Sequence, residues 1–396
     1  MEQDTLKDKI RGCLIAGAAG DALGYDVEFM SYRSILSRFG ENGITKFALD
    51  NNGKALISDD TQMTLFTANG LLTGITMNRM QRFSCKAELI VMAAYLDWFY
   101  TQTREVGPHE QITWLRDLPE MAQLRAPGNT CLSACANIID GKDVENDSKG
   151  CGGIMRVAPM ALLDAGYASR NENGYSIEEL AEAGGKIAEV THKHPLGFLP
   201  ASLLTVLLYK IVPMSPKQVR EEIDGIVVDT MNILDRIYKS KYESDKRYLK
   251  ELTSKAVQLA HSNTSDADAI RQLGEGWVAE ETWAIALYSA IRHIDSVEDA
   301  IIASVNHDGD SDSTGSVCGN IMGAIYGYEH IKERNIFCPD GKPLEETLEL
   351  SEIILALADD LSTGCIISEY DPIDTPEKRQ WFDRYCEMKP AGIGVK

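Results

Sequence analysis

Glycine recurs at four-residue intervals in two places along this chain. Gly12, Ala16, Gly20 and Gly24 form one row, and Gly315, Gly319, Gly323 and Gly327 form another. On a helix, that spacing lines the positions along one slowly drifting ridge. A glycine inside a helix costs up to about 1 kcal/mol relative to alanine, so a row of them needs a compensating reason. Close approach of a neighbouring backbone is the natural one, because only glycine leaves room for it. The spacing therefore predicts two helices buried at the centre of the molecule and packed tightly on their neighbours. The competing reading is glycine enrichment in loops.

Much of the remaining chain also reads as helix. Residues Ala87 to Tyr100, Glu281 to Ile294 and Leu350 to Leu361 carry apolar side chains at helical spacing. Strand signals are few and short. Residues Pro216 to Lys255 are rich in Lys, Arg, Glu and Asp and read as solvated helices, an insertion on one edge over about 213–256. No Pro/Gly/Ser linker, low-complexity stretch or repeat divides the 396 residues. The expectation is an all-α fold: a compact single-domain helical bundle over 1–396.

Charge and cysteine usage narrow the class. Acidic residues number 60 against 39 basic ones, a formal net charge of −21. Such a surface repels phosphate backbones and anionic lipid, so general nucleic-acid or membrane binding is not expected. A local pocket for one phosphorylated small molecule is still compatible with it. No apolar run reaches the roughly 18 residues of a spanning helix, and the opening Met1-Glu2-Gln3-Asp4 is unlike a secretory signal. Nine scattered cysteines, an odd count in a large chain, read as free thiols in a reducing cytoplasm.

Five segments carry candidate chemistry. Ser58-Asp59-Asp60-Thr61 precedes an apolar-periodic stretch; serine is a good N-cap and first-turn carboxylates suit the helix dipole, so simple capping explains it locally. His307-Asp308-Gly309-Asp310-Ser311-Asp312-Ser313 also opens a helix, and its alternating aspartates could aim at one hard cation or be a polar turn. The two together are more specific than either. Oxygen-only donors suit Mg²⁺, Mn²⁺ or Ca²⁺ rather than zinc, and Cys131 and Cys135 lack the second pair a zinc site would need. Four aspartates around two divalent ions would balance their charge. Glu28, between apolar neighbours, suits general acid–base work if burial raises its pKa, or is an exposed helix-end carboxylate. The turn Ser148-Lys149-Gly150-Cys151-Gly152-Gly153 could bring backbone N–H groups to a diphosphate, or be only a loop. His192 and His194 do not share a helix face, which fits a ligand contact better than a metal site.

These elements, in this order, resemble the ADP-ribosylglycohydrolase family, which includes dinitrogenase reductase-activating glycohydrolases and ADP-ribosyl-acceptor hydrolases. The matching pieces are Gly20-Asp21-Ala22-Leu23-Gly24 with Glu28, Ser58 to Met63, Gly128 to Cys131, Gly150 to Pro159, Thr191 to Gly197, Gly274 to Trp277, and Gly309 to Gly315. The resemblance implies an all-α fold with a binuclear Mg²⁺ or Mn²⁺ site in a central cleft. Its ligands would be Ser58, Asp59, Asp60, Asp310, Asp312 and Ser313. Many relatives have threonine at the two serine positions, and either hydroxyl can ligate. It implies a catalytic role for Glu28 and an ADP-ribose cleft lined by Ser148, Gly150, Cys151, Gly152 and His192. His307-Asp308 departs from the apolar-glycine pair of other members.

The expected activity is divalent-metal-dependent hydrolysis of the bond between ADP-ribose and a modified acceptor, most naturally a protein. Three other readings use the same residues: a catalytically silent ADP-ribose-binding module, a toxin-neutralising immunity protein, and a hydrolase of ADP-ribosylated nucleotides or small molecules.

Overall fold

A computed structural model describes residues 3–104 and 110–388. Eighteen α-helices occupy these residues, in the order α1 Gln3–Tyr25, α2 Tyr32–Phe39, α3 Asp59–Arg79, α4 Ala87–Thr103, α5 Asn129–Ile139 and α6 Ala158–Ser169. There follow α7 Ile177–Glu189, α8 Pro195–Ile211, α9 Pro216–Tyr238, α10 Glu243–Ala260, α11 Asp266–Leu273 and α12 Ala279–Arg292. The last six are α13 Val297–Val305, α14 Ser311–Tyr326, α15 Tyr328–Arg334, α16 Leu344–Thr347, α17 Ser351–Thr363 and α18 Pro376–Tyr385. No strand forms among the described residues, only isolated bridges between Ala55 and Leu348 and between Gly150 and Val278.

The two glycine rows meet each other. A Cβ built on Gly323 would come within 3.0 Å of the Gly12 carbonyl, one on Gly319 of the Ala16 carbonyl, and one on Gly315 of the Gly20 carbonyl. Gly24 stands in the same relation to the Ser311 carbonyl. As one row ascends the other descends, so α1 and α14 run antiparallel with their backbones in contact over about three turns. Side chains larger than hydrogen would hold the axes apart. Gly327 differs from its row: it ends α14 with φ +85° and turns the chain into α15.

This pair is the centre of the bundle. Helices α6 and α17 pack against α1, and α12 and α13 against α14, while α3–α4 and α7–α8 form adjoining helix pairs. The core includes fully buried Trp98 and Trp283. Helices α9 and α10, the charge-rich stretch, lie against α8 and α12. Their inner face is apolar, with Val219, Ile223, Val227, Leu234, Leu249 and Ala256 buried. They form an outer layer whose charges cover only the solvent side. No helix among the described residues is long and apolar enough to cross a membrane, and all nine cysteines are free.

Candidate active site

The antiparallel register brings the end of α1 to the start of α14. Gly24 packs on Ser311, so the turn after α1 is delivered to the Asp310–Ser313 segment. In that turn the N–H groups of Val27 and Glu28 both donate to the Gly24 carbonyl at 2.9 Å. The turn's far end is held by Asp308, whose Oδ1 accepts from Tyr32 N at 2.8 Å. Asp308, the residue that departs from the family pair, is thus engaged in anchoring α2.

The start of α3 joins the same place. Ser58 caps this helix, its Oγ accepting from Asp60 N at 3.1 Å, and Asp310 caps α14, accepting from Ser313 N at 3.1 Å. The capping explanation of both motifs is therefore correct, and it does not exhaust them. Two helix N-termini, each a focus of partial positive charge, converge with their carboxylates facing one another. Ser58 lies near enough to Asp312, and Cys151 to Asp310 and Ser313, for each to influence the other's ionisation. Asp59 accepts from Gly128 N at 3.1 Å. All four aspartates are buried.

One buried aspartate in this cluster carries no role in the sequence reading. Asp21 is fully buried on the glycine face of α1 and accepts from Ser58 N at 3.0 Å and from Thr61 N at 3.1 Å. It also accepts from the Thr61 hydroxyl. A carboxylate taking three donors from the first turn of α3 fixes how Ser58, Asp59 and Asp60 present themselves. Its only signal in the sequence is a charge inside an otherwise small and apolar ridge.

Crowding of like charges dominates the electrostatics. Burial, followed by the charges of Asp312, Asp310, Asp59 and Asp21, pushes Glu28 up to about 10. Asp21 rises to about 7, by burial and then Asp312, against the lowering effect of its hydrogen bonds. Burial also raises Asp59, Asp60, Asp310 and Asp312, the first three well above the usual carboxylate range. Asp60 Oδ2 and Glu28 Oε2 are buried without a hydrogen-bond partner. Unpaired buried oxygens of this kind are costly unless something else satisfies them. Among the described residues no group of three or more His, Cys, Asp or Glu side chains is arranged to hold a metal ion.

The glycine turn lies beside it. Gly150 N donates to Ser148 Oγ at 3.4 Å and Cys151 N to the Trp277 carbonyl at 3.2 Å, so these two amides are already committed. A methyl group on Gly152 would stand 3.0 Å from the His192 ring and 3.1 Å from Cys131 Sγ, which gives that glycine a packing reason as well. His192 is buried and pushed down to about 3, by burial and then Arg156, so its imidazole is neutral. Its Nδ1 pairs with Thr191 Oγ1 at 2.8 Å, and Thr191 in turn accepts from buried Arg156 at 2.6 Å. The loop 274–278 ties turn and cluster together: the Glu275 carbonyl accepts from Asp310 N at 2.8 Å, and the Trp277 carbonyl from Cys151 N.

A family model described as ADP-ribosylglycohydrolase matches residues 2–366. The ADP-ribosyl-[dinitrogen reductase] glycohydrolase of Rhodospirillum rubrum is 24% identical over 364 residues, covering 90% of this chain and 99% of its own. ADP-ribosylhydrolase ARH1 of Dictyostelium discoideum is 25% identical over 398 residues, 90% of this chain and 94% of its own. Among solved structures, an ADP-ribosylglycohydrolase-related protein complex aligns over 91% of this chain and 100% of the other with a TM-score of 0.54 at 20% identity, a likeness of fold.

Proposed function

The chain belongs to the ADP-ribosylglycohydrolase family, and on that footing we propose that it is a divalent-cation-dependent hydrolase releasing ADP-ribose from a modified acceptor. The observation that carries the cation requirement is the buried cluster itself. Six carboxyl groups, those of Asp21, Glu28, Asp59, Asp60, Asp310 and Asp312, crowd together there, the buried Arg156 guanidinium acts on Asp59, and Asp60 Oδ2 and Glu28 Oε2 are left unpaired. The donor set is oxygen throughout, which fits Mg²⁺ or Mn²⁺. Asp59, Asp60, Asp310 and Asp312, with the hydroxyls of Ser58 and Ser313, would hold two such ions. When bound, they supply charge neutralisation, orientation and Lewis acidity at the distal ribose.

The protein's own groups do the rest. Glu28, raised in the cation-free protein by burial and then by its acidic neighbours, would deliver a proton to the departing acceptor atom and take one back from water afterwards. Cleavage at an anomeric carbon passes through oxocarbenium character. Ser148, Gly150, Cys151, Gly152 and neutral His192 line the side of the cluster where the rest of ADP-ribose would lie. Asp21 keeps the first turn of α3 in register.

The test is direct. The protein with Mg²⁺ is incubated with arginine-, serine- and nucleotide-linked ADP-ribose conjugates, and free ADP-ribose is followed. Release from at least one linkage, abolished by EDTA, is expected. Binding of the conjugates without release from any of them would refute the hydrolase reading in favour of a binding module.

A further inference from the structure

Arg156 is wholly buried, yet none of the groups that its guanidinium meets is a carboxylate. Nη1 lies 3.4 Å from Met63 Sδ and 3.3 Å from Cys131 Sγ, while Nη2 donates to Thr191 Oγ1 at 2.6 Å and to the Ile187 carbonyl at 3.4 Å. The guanidinium stands over the Tyr95 ring at 4.3 Å, and its Nε has no partner. Two sulfur atoms and an aromatic face are weak company for a full charge, and burying one without a carboxylate is costly. Its field offsets part of the burial that raises Asp59. Its one short contact is with Thr191.

That contact is passed on to a histidine. Thr191 and His192 follow the end of α7, and both their N–H groups donate to the Ala188 carbonyl, at 3.2 and 3.1 Å. Thr191 Oγ1 lies 2.8 Å from His192 Nδ1. A guanidinium can only donate, so Thr191 Oγ1 accepts from Arg156 and its single proton is free for Nδ1. The His192 ring is neutral, pushed down to about 3 by burial and then by Arg156, so one of its nitrogens carries a proton and the other does not. Thr191 has a second lone pair and could instead accept from an Nδ1–H, but that arrangement would turn a ring proton toward the guanidinium. A lone pair facing the cation and a proton facing away is the favourable orientation. The proton then sits on Nε2, against the glycine turn: methyl groups on Gly150 and Gly152 would stand 3.3 and 3.4 Å from that nitrogen.

We infer that Arg156, acting through Thr191, is a positioning residue that holds His192 as its Nε2–H tautomer, so that the glycine-turn side of the cluster presents a fixed hydrogen-bond donor to an acceptor oxygen of ADP-ribose. The inference deepens the proposed function and rests on it for the identity of the ligand; the tautomer itself is a property of the free protein. A neutral imidazole left to itself exchanges between a donor and an acceptor at Nε2, and a ligand must then select one of them. A buried, permanently charged donor two bonds of the network away removes that choice before the ligand arrives, and the site is preorganised for an acceptor. This gives the unpaired guanidinium a purpose that its packing alone does not.

Two-bond proton–nitrogen correlation spectra of the histidine rings read the tautomer directly, and His192 is assigned by the signal that His192→Gln removes. The wild type should show an unprotonated Nδ1 and a protonated Nε2, unchanged between about pH 5 and 8, where an ordinary histidine titrates. Free ADP-ribose, titrated calorimetrically in Mg²⁺, should move the Nε2 signal far more than that of Nδ1. Thr191→Val should populate the Nδ1–H form and weaken ADP-ribose by about threefold to tenfold, the scale of one neutral hydrogen bond. Thr191→Ser keeps the hydroxyl and should restore both. Arg156→Met frees Thr191 to accept from Nδ1–H and should also populate that form, whereas Arg156→Lys keeps a charged donor and should hold the wild-type spectrum. If Arg156→Met does not fold, the two Thr191 variants and Arg156→Lys decide. A wild-type ring protonated on Nδ1 would overturn the inference, as would Thr191→Val with its tautomer or its ADP-ribose affinity unchanged. A lower melting temperature for Arg156→Met with the His192 spectrum intact would overturn it too, leaving Arg156 as packing alone. Failure to hydrolyse any conjugate, with tautomer and ADP-ribose binding as expected, would count against the proposed function and not against this lock.

Discussion

Gly319→Ala and Gly225→Ala make the same chemical change in two helices and should move stability in opposite directions. At Gly319 the added methyl would lie within 3.0 Å of three backbone atoms, the Ala16 carbonyl oxygen and carbon and the Gly17 nitrogen. No side-chain rotation can relieve a clash with backbone, so α1 and α14 must part. Overpacking of this kind costs about 1–3 kcal/mol. Against it stands the gain in helix propensity, up to about 1 kcal/mol for glycine to alanine. The net expectation is a loss of up to about 2 kcal/mol. At Gly225, in α9, nothing lies within 4 Å of the new Cβ, so only the propensity gain remains. The propensity term is common to both, and the difference between the variants isolates the overpacking, about 1–3 kcal/mol. Urea denaturation at fixed Mg²⁺ measures it, provided the slopes agree so that the midpoints are comparable. Equal stabilisation by both substitutions would show that the two glycine rows are not in backbone contact in solution, and the account of the central pair would fall.

Glu28→Gln should leave cation and ADP-ribose affinity nearly intact while turnover falls by about 10²-fold or more, the usual scale for losing a general acid or base; steady-state kinetics with a binding isotherm checks it. EDTA should lower the melting temperature and abolish hydrolysis, and Mg²⁺ or Mn²⁺ should restore both, since an ion that binds only the folded state stabilises it. Asp310→Asn should remove most of that gain, and adding Asp60→Asn should cost far less than additivity requires; additive losses would mean two separate caps. The pH dependence has a definite sign. Asp21 is raised to about 7 and Glu28 to about 10, from ordinary values of 3.8 and 4.5. The folded cation-free protein therefore keeps protons that the unfolded chain has released. That contribution is complete below the ordinary values and is lost as pH rises through the folded ones. In EDTA the melting temperature should fall between about pH 5 and 8, more steeply than in saturating Mg²⁺. Parallel curves would show that the cluster holds no excess protons.

What could be read in the sequence, and what could not, divides by distance along the chain. The four-residue glycine spacing is a local signal, and it correctly indicates buried helices. That each row's partner is the other row is not local, because nothing in residues 12–24 names a stretch some 300 positions away. The pairing follows only when two ridges that both need a close backbone neighbour are set antiparallel. Ser58 and Asp310 look like helix caps, and they are; the second use proposed for them depends on two helix starts facing each other, which the α1–α14 register brings about. Asp21 is the clearest omission. Its partners, Ser58 and Thr61, lie 37 and 40 residues away, and within its own helix it is only a charge among small residues. The charge-rich stretch around 216–255 misleads in another way. Its Lys and Glu side chains dominate the composition, while Val219, Ile223, Val227 and Leu234 recur at helical spacing and are buried against the bundle. Composition averages over a helix, whereas packing uses one face of it. The same logic governs the site. Single motifs such as Ser58-Asp59-Asp60 are ambiguous because a cap and a cation ligand want the same residues in the same place. The fold adds neighbours that the motifs alone do not show: Asp312 beside Ser58, Cys151 beside Asp310, and the unpaired oxygens of Asp60 and Glu28.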